Sequence, residues 1–446
     1  MTLASQPSIY ATDINNGDFV LVPLKFLFVT DESLAADLAW QLKKEGHDVK
    51  MYCHSQGEKD VGLGFFEKID EWEPFKDWAD VIIFDDIEFG SKADQLRNEG
   101  KLVVGGSTYT DKLELDREFG QAELNLAGVD TLQSWNFTSF DTAIEFVKAN
   151  PDRYVLKPSG KAQNEKELLF IGQEADGKDV LQVLEHYKTN WSKKIKEFLI
   201  QKYAEGVEIA VGSFFNGKDF ILPICVNFEH KRLFPNELGP STGEMGTSIY
   251  YSRSSPVFDK TLSKMKDKLA ASKYVGYVDI NCIANSKGIW PLEFTTRFGY
   301  PTISIQMEGI TSEWGTFLYE LAQGKDAQLK TKKGYQVGVV VTIPPWPFQD
   351  DKAFKKYSEG ATILFRRQSL DGIHIGEVKL EEGDWRIAGN SGYALVVTGS
   401  GATMADAIEE VYKNVRNVMI PNMFYRNDIG RRWTHDCDVL LSWGYI

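Results

Sequence analysis

Short apolar runs alternate with an amphipathic helical segment in the first quarter of the chain. The helical segment, residues 33–45, places Leu34, Leu38 and Leu42 on one face. Four runs have the length of one buried strand each: residues 25–30, 47–51, 80–84 and 102–105. Because strands that alternate with helices form parallel sheets, residues 25–125 are predicted to be a small α/β domain. Such sheets bind ligands beyond the carboxyl ends of their strands.

The rest of the chain mixes strands and helices less regularly. Strands are predicted at residues 154–158, 199–203, 208–215, 277–284, 290–295, 335–343 and 393–399. Helices are predicted at residues 259–272 and 404–418, with Thr403 as the N-cap of the second helix. The Asn-Ser-Lys-Gly turn at residues 285–288 predicts that the two strands around it form a hairpin.

Length and composition exclude several classes of protein. With 446 residues the chain is too long for one compact core, and its net charge of −14 argues against a nucleic-acid-coating surface. The four cysteines lack CxxC spacing, so neither a disulfide framework nor a structural zinc site is predicted. The polar first residues and the lack of any apolar run of about 20 residues predict a cytoplasmic protein without a membrane span.

Two segments suit nucleotide and phosphate chemistry. Lys157 ends a predicted strand and is followed by a Ser-Gly pair, where a lysine can meet a phosphate as a point charge. The run Gly239-Pro-Ser-Thr-Gly-Glu-Met-Gly246 has three glycines that let backbone N–H groups approach an anion. A solvated lysine and an ordinary surface loop are the alternatives at these two places.

Two further segments carry charged groups. Asp279 and Glu293 lie on the two strands of the predicted hairpin, where a Mg²⁺ ion bound to phosphates would relieve their repulsion. The alternative is a pair of solvated carboxylates. The run Phe424-Tyr-Arg-Asn-Asp-Ile-Gly430 reads as a turn held by Arg–Asp pairing. His230 reads as a loop or substrate-contact residue rather than a metal ligand, because no second His or Cys lies at ligand spacing.

Several motifs occur together in a fixed order. They are Leu38-Ala-Trp40, Leu222-Pro-Ile, Glu229-His-Lys-Arg232, Gly239–Gly246, Leu292-Glu-Phe-Thr-Thr-Arg-Phe-Gly-Tyr-Pro301 and the FYRNDIG run. In this order they resemble the phosphoribosylamine–glycine ligase (glycinamide ribonucleotide synthetase) family of the ATP-grasp superfamily, from about residue 25 to residue 433.

The resemblance implies an α/β architecture with an ATP-grasp fold at its centre. The implied parts are an N-terminal extension (1–24), a Rossmann-like preATP-grasp domain (25–125), an ATP-grasp domain (126–330) with a lid at about 150–210, and a C-terminal α+β domain (331–446). The implied reaction is ATP- and Mg²⁺-dependent amide formation, with Mn²⁺ as an alternative metal. ATP phosphorylates a carboxylate, glycine or another amino acid, and an amine attacks the acyl phosphate. A monomer or a homodimer fits this reading.

The resemblance also implies roles for residues at matching positions. Arg117 and Lys157 would hold ATP phosphates, the backbone of residues 201–204 would bind adenine, and Glu208 would bind the ribose. The implied nucleotide contacts are Arg117, Lys157, Lys161, Gln201, Lys202, Tyr203 and Glu208. The implied metal ligands are Asp279, Glu293 and Thr295. The implied substrate contacts are Gly239, Pro240, Ser241, Thr242, Gly243, Arg297 and Gly299, and the implied catalytic residues are Lys157, Glu293 and Arg297.

Some segments depart from the family pattern. Thr30-Asp-Glu-Ser-Leu-Ala-Ala36 stands where the family has a glycine-rich loop that contains an Arg and a His, and Asp85-Asp-Ile-Glu-Phe-Gly90 stands where the family has a Gly-Pro-Glu-Ala-Pro-Leu element. These acidic loops should repel a phosphorylated sugar and suit a cationic amine. The lid run 159–166 keeps Lys161 and Lys166 but few glycines, and Thr295 replaces an Asn metal ligand.

The departures leave three interpretations open. The first is a ligase of purine biosynthesis that makes glycinamide ribonucleotide. The second, which the altered loops favour, is a diverged ligase that joins glycine or another amino acid to a different amine. The third is a nucleotide-binding pseudo-enzyme with a regulatory or interaction role, which the altered lid and Thr295 favour and Asp279 opposes.

Overall fold

The structure, a computed structural model, describes residues 10–12, 19–159, 169–193 and 195–446. The lid residues Lys161 and Lys166 lie outside the described residues. The elements of the first part are β1 (Tyr10–Thr12), β2 (Phe19–Leu21), β3 (Lys25–Thr30), α1 (Ala36–Lys44), β4 (Asp48–Cys53), β5 (Glu67–Ile69), β6 (Val81–Phe84), α2 (Gly90–Asn98), β7 (Val103–Val104), α3 (Thr108–Leu115) and α4 (Arg117–Leu126).

The predicted parallel sheet is confirmed. Its strand order is β5-β4-β3-β6-β7, and every neighbouring pair in it is parallel. The sequence prediction missed β5, because its three residues Glu-Lys-Ile form no apolar run. Helix α1 begins at Ala36 rather than at residue 33, since Ser33 has a φ of 55° that no α-helix contains. The hairpin of β1 and β2 precedes this sheet.

The middle of the chain builds a four-stranded antiparallel sheet, a two-stranded antiparallel sheet and five strands of a large antiparallel sheet. Its elements are β8 (Ser134–Phe137), α5 (Phe140–Ala149), β9 (Tyr154–Pro158), β10 (Phe170–Ile171), α6 (Lys178–Asn190), β11 (Phe198–Lys202), β12 (Val207–Asn216), β13 (Phe220–Glu229), β14 (Arg232–Phe234), β15 (Leu238–Ser241), β16 (Gly246–Ser252), α7 (Pro256–Lys260), α8 (Lys266–Ala271), β17 (Val275–Asn285), β18 (Gly288–Thr295), α9 (Thr302–Gly309) and α10 (Trp314–Ala322). The first sheet has the order β10-β9-β11-β8 and packs with α5 and α6 around an apolar core of its own, which includes Phe140, Leu156, Leu184 and Ile200.

The last part completes the large sheet. Its elements are β19 (Tyr335–Thr342), α11 (Asp351–Tyr357), β20 (Thr362–Phe365), β21 (Ile373–Ile375), β22 (Val378–Glu381), β23 (Asp384–Ile387), β24 (Tyr393–Gly401), α12 (Met404–Val415), β25 (Val418–Met419) and α13 (Trp433–Trp443). The large sheet has the order β18-β17-β12-β13-β16-β19-β24-β21, and a four-stranded sheet has the order β22-β23-β20-β25. One sheet thus continues across residue 330; the division of the chain into domains stays a prediction.

Two predicted helices are wrong in extent. The helix predicted at residues 259–272 is divided into α7, a 3₁₀ segment and α8, because Thr261 has non-helical φ and ψ of −125° and −92°. The Thr261 hydroxyl donates to the carbonyl of Val257 at 2.6 Å. The helix predicted at residues 404–418 ends at Val415, because Val418 pairs with β20 as a strand. Its N-cap, Thr403, is confirmed and forms a capping box with Asp406.

The predicted hairpin of β17 and β18 is confirmed, and its register places the candidate metal residues on one face. Asp279 lies opposite Thr295, and Asn281 lies opposite Glu293. None of the helices that the structure describes is long and apolar enough to cross a membrane.

Candidate active site

Lys157 shares a sheet face with a cleft beside α4. It pairs with Leu199 of β11, which pairs in turn with Asn136 of β8. Directly opposite residues of an antiparallel sheet lie on the same face. Leu199 and Asn136 line a cleft of about 380 Å³, and Arg117 and Gln121 of α4 line it as well. The face that carries Lys157 therefore looks onto α4 across this cleft.

A second lysine, Lys231, forms ion pairs with three carboxylates. Its Nζ lies 2.9 Å from Glu208 Oε1, 3.2 Å from Glu229 Oε2 and 3.4 Å from Glu293 Oε1. Arg117 Nη1 lies 3.1 Å from the other oxygen of Glu293. The predicted residues Arg117, Glu208 and Glu293 are thus brought together, and a residue absent from the predicted site joins them. The signal for Lys231 was the Glu229-His-Lys-Arg232 run, whose partners only the folded sheet reveals.

The charges of this cluster set its protonation. Although burial opposes the shift, Lys231, Arg117 and Lys157 hold the pKa of Glu293 well below its usual range. The three carboxylates raise the pKa of Lys231 against the effect of its own burial. Burial, and then the charge of Arg117, lowers the pKa of Lys157 to about 8. Among the described residues no carboxylate lies within ion-pair distance of Lys157, which makes this ammonium available to an anionic ligand.

More acidic and amide groups lie on the face of the large sheet that carries Glu208, Glu229 and Glu293. Asn227 Nδ2 donates to Asp279 Oδ2 at 2.8 Å, and Asn281 Nδ2 donates to Glu229 Oε2 at 2.8 Å. Burial, and then the charge of Glu229, raises the pKa of Asp279 to about 7, and the same two causes raise the pKa of Glu244. This excess of buried negative charge would be relieved by a cation.

The oxygen atoms present here fit a hard divalent ion. Oδ1 of Asn227, Oδ1 of Asn281 and Oε1 of Glu244 are buried and accept no hydrogen bond. Carboxylate and amide oxygens are the ligands that Mg²⁺ and Mn²⁺ prefer. Among the described residues, no three acidic, His or Cys side chains are already arranged around one metal position. The metal role of Asp279, Glu293 and Thr295 stays a prediction.

The glycine-rich run is fixed against Lys231. Both the backbone N–H and the hydroxyl of Thr242 donate to the Lys231 carbonyl, at 2.9 Å and 3.1 Å. Gly239 and Gly243 have φ of 82° and 87°, which other residues rarely adopt. The first part of the run, Gly239, Pro240 and Ser241, belongs to β15 and pairs with β14 rather than forming an open loop.

Arg297 connects the large sheet to the parallel sheet. Its Nε lies 3.3 Å from Asp86 Oδ1 and 3.3 Å from Glu114 Oε1. Against the effect of burial, these two carboxylates raise the pKa of Arg297. The carbonyl of Gly299 accepts a hydrogen bond from Ile303 N at 2.8 Å in the first turn of α9. Arg297 thus lies between the two parts of the molecule, and two acids already neutralise it.

Two N–H groups of the predicted adenine segment already donate within the protein. Lys202 N donates to the Gln133 carbonyl at 2.9 Å, and Tyr203 N donates to the Arg153 carbonyl at 3.0 Å. The Arg153 guanidinium stacks 3.5 Å above the Tyr203 ring. Gln201, which pairs with Val155, is buried on the Lys157 face of the small sheet. The adenine-binding role of this segment stays a prediction.

The FYRNDIG run forms the predicted turn held by Arg–Asp pairing. Arg426 is fully buried, and its Nε and Nη2 donate to the two oxygens of Asp428 at 2.9 Å and 2.8 Å. Nη2 also donates to Glu237 at 2.7 Å. His230 is buried in the same place, where its Nε2 accepts from Gly430 N at 3.2 Å. The turn thus connects the C-terminal part of the chain to the residues that precede the glycine-rich run.

Two domain models of one synthetase match this chain, and a curated relative of the same kind is similar to it. Residues 115–303 match the family model described as "Phosphoribosylglycinamide synthetase, ATP-grasp (A) domain", and residues 337–432 match the model of the C domain of the same synthetase. A phosphoribosylamine–glycine ligase of Halalkalibacterium halodurans is 24% identical over 352 residues, which cover 76% of this chain and 78% of that protein.

Solved structures show the same fold. The crystal structure of phosphoribosylamine–glycine ligase from Thermotoga maritima has a TM-score of 0.70 and 21% identity, and covers 91% of this chain and 100% of its own. A second similar structure is the biotin carboxylase domain of Hydrogenobacter thermophilus 2-oxoglutarate carboxylase, solved with MgADP and bicarbonate. It has a TM-score of 0.61 and 14% identity, and covers 94% of this chain and 95% of its own. The fold is therefore the mixed α/β ATP-grasp fold. Because both domain models of the synthetase match and the Halalkalibacterium halodurans relative is only 24% identical, the chain belongs to the phosphoribosylglycinamide synthetase family of ATP-grasp ligases, as a diverged member.

Proposed function

We propose that this chain is an ATP- and Mg²⁺-dependent ligase that joins a carboxylate to an amine through an acyl phosphate. The observation that carries the proposal is the charge cluster of Lys231, Arg117 and Glu293 beside the available ammonium of Lys157. Relatives named phosphoribosylamine–glycine ligase support glycine or another small amino acid as the carboxylate and an amine as the second substrate.

Lys157 and Arg117 are proposed to attract the phosphates of ATP. Their positive charge stabilises the negative charge that develops as the terminal phosphoryl group is transferred. An oxygen of the substrate carboxylate attacks the terminal phosphorus, and ADP leaves. The transfer is needed because a carboxylate is a poor electrophile, whereas an acyl phosphate has phosphate as its leaving group.

The metal ligands are proposed to be Asp279, Glu293 and Thr295. Mg²⁺ or Mn²⁺, when bound, neutralises phosphate charge and aligns the phosphoryl group. Gly212 leaves room for the Asp279 carboxylate, since a Cβ at position 212 would lie 2.5 Å from Asp279 Oδ2. Asp279 is thus held by its neighbours rather than by solvent.

Arg297 and the run from Gly239 to Gly243 are proposed to hold the carboxylate and its acyl phosphate. A guanidinium can bind a carboxylate through two parallel hydrogen bonds. Because Asp86 and Glu114 lie against Arg297, the substrate would share this cation with them. The amine then attacks the acyl carbon, and phosphate departs with the electron pair of the broken C–O bond.

The test separates carboxylate activation from amide formation. Mg-ATP and a panel of amino acids are supplied with hydroxylamine, which converts an acyl phosphate into a hydroxamate without using the amine site. We expect glycine or another small amino acid to give hydroxamate and ADP. If ATP binds but no carboxylate in the panel gives hydroxamate, the proposal is wrong and the chain is a nucleotide-binding protein without turnover.

Lys231→Met tests the cluster itself. It leaves Glu208, Glu229 and Glu293 without their shared cation, so we expect hydroxamate formation to fall by about 100-fold or more. Lys266→Met, which removes an exposed ion pair with Asp219, is the matched control and should keep wild-type activity. If Lys231→Met and Lys266→Met have equal activity, the cluster around Lys231 takes no part in the reaction.

A further inference from the structure

The carboxyl edge of the parallel sheet carries acidic groups that phosphate transfer does not need. Asp31 directly follows β3, and Asp85 and Asp86 directly follow β6. Because β3 and β6 are neighbouring parallel strands, these residues meet at one edge. That edge is where open parallel sheets bind their ligands.

Two carboxylates near this edge are buried and only partly satisfied. Glu58 is 5% exposed and Asp85 is 0% exposed. Oε2 of Glu58 and Oδ1 of Asp85 have no hydrogen-bond partner, although Asp85 Oδ2 accepts from Ala35 N at 2.9 Å. A buried carboxylate oxygen without a donor is costly, so each of these atoms is a place where a ligand's N–H group would be stabilising.

Lys68, a cation of this region, already has hydrogen-bond partners. Lys68 is close enough to Glu58 and Asp85 to act on both, yet its Nζ donates to the Val61 carbonyl at 2.8 Å and to Ser33 Oγ at 3.2 Å. Burial lowers the pKa of Lys68, which weakens it further as a counter-ion.

More negative charge comes from the C-terminal part of the chain. Glu377 is buried and accepts from Ser391 N at 3.0 Å and from Gly392 N at 2.9 Å. Burial, and then the repulsion from Glu377, raises the pKa of Glu58 to about 9. The region therefore has a surplus of acid groups, which would attract a cation and repel a phosphate.

The acidic edge also adjoins the proposed acyl-phosphate site. Tyr300 donates from its hydroxyl to the Asp85 carbonyl at 3.1 Å, and Arg297 Nε lies 3.3 Å from Asp86. Both residues follow β18, the strand that carries Glu293. A molecule bound at Asp85 would therefore reach toward the carboxylate that Arg297 is proposed to hold.

We propose that the amine substrate carries a second positive charge and no phosphate, as an aliphatic diamine does, with Glu58 and Asp85 binding its distal ammonium. This inference rests on the proposed function. The uncharged amino group attacks the acyl carbon: an N–C bond forms, the C–O bond to phosphate breaks, and phosphate leaves with the electron pair. The attacking nitrogen loses one proton to water.

The experiment compares amines that differ in charge. Amide formation is measured with Mg-ATP and the carboxylate found by hydroxamate formation, using 1,4-diaminobutane, its monoamine counterpart 1-aminobutane, O-phosphoethanolamine and phosphoribosylamine made in situ. We expect the KM for the diamine to be at least about tenfold below that for the monoamine, with no product from either phosphorylated amine.

Two isosteric variants identify the residues. Glu58→Gln and Asp85→Asn should each raise the KM for the diamine about tenfold or more, so that the preference for the diamine over the monoamine is lost. Asp77→Asn removes an exposed carboxylate paired with Lys101 and is the matched control. Because burial raises the pKa of Glu58 to about 9, Glu58→Gln replaces a side chain that is protonated at neutral pH in the unliganded protein, so the melting temperature of this variant should not fall. An unchanged melting temperature shows that the variant is folded.

Several results would overturn the inference. They are preference for a phosphorylated amine, equal KM values for diamine and monoamine, or unchanged diamine KM in both variants. If no hydroxamate forms at all, the proposed function fails first, and thermal stabilisation by the diamine alone becomes the readout. Stabilisation that Glu58→Gln abolishes then supports the cation site by itself, whereas stabilisation by Mg²⁺ and not by the diamine contradicts it.

Discussion

Lys157 is a single residue whose ammonium group loses its proton at mildly alkaline pH. Since burial lowers its pKa to about 8, its attraction for phosphate should weaken as the pH rises through and above that value. We expect the affinity for ATP to fall between about pH 8 and pH 9.5, measured by calorimetric titration. In Lys157→Arg the affinity should stay constant, because a guanidinium remains protonated over this range.

Lys188→Arg, at an exposed lysine paired with Asp141, is the control and should keep the wild-type pH profile.

The lowered pKa of Lys157 also has a consequence for stability. Between about pH 8 and pH 10.5 the unfolded chain binds the proton that folded Lys157 has lost, so this residue's contribution to the unfolding free energy rises with pH. A flat ATP affinity in the wild type would show that Lys157 does not contact phosphate.

The sequence names candidate site residues, but it does not name their partners. Arg117 and Glu293 lie far apart in the chain and form an ion pair in the structure, while the roles of these two residues and of Lys157 stay predictions. Lys231 forms its ion pairs because β12, β13 and β18 bring three glutamates, Glu208, Glu229 and Glu293, to its ammonium group. The order of strands in a sheet cannot be predicted from the local sequence of each strand.

At the scale of elements, the turn around Arg426 fixes the end of the chain to the strand pair β14 and β15. Arg426→Lys cannot reproduce the paired donation to Asp428 together with the bond to Glu237. We expect the variant to lose about 2–4 kcal/mol of unfolding free energy, measured by urea denaturation. Arg431→Lys, at the exposed position directly after the FYRNDIG run, should lose less than about 0.5 kcal/mol. Similar losses in both variants would show that the buried pairing contributes little.

Elements were predictable where one local signal decided them. The apolar runs gave β3, β6 and β9 within a residue, and the Thr403 signal gave the start of α12. Short polar strands such as β5 and β15 were missed, because their pairing depends on neighbours rather than on their own residues. The break at Thr261 was missed for a related reason: apolar periodicity continues through a residue whose backbone leaves the helix.

At the scale of the whole molecule, β19 lies between β16 and β24 in the eight-stranded sheet. A chain that ends at residue 330 therefore leaves β16 with an unpaired edge. We expect residues 1–330 expressed alone to aggregate, and co-expression with residues 331–446 to restore a soluble one-to-one complex, measured by size-exclusion chromatography with light scattering. A monomeric, folded 1–330 fragment would contradict this dependence.

The small sheet β10-β9-β11-β8 has its own apolar core, whereas Lys231, Glu293 and Arg117 belong to other parts of the molecule. A nucleotide that contacts Lys157 on one side and this cluster on the other acts as a non-covalent cross-link between separately packed bodies. Part of its binding free energy is then used to fix their relative orientation. The measured affinity for ATP will consequently report the orientational freedom of the small sheet as well as the quality of its contacts with phosphate.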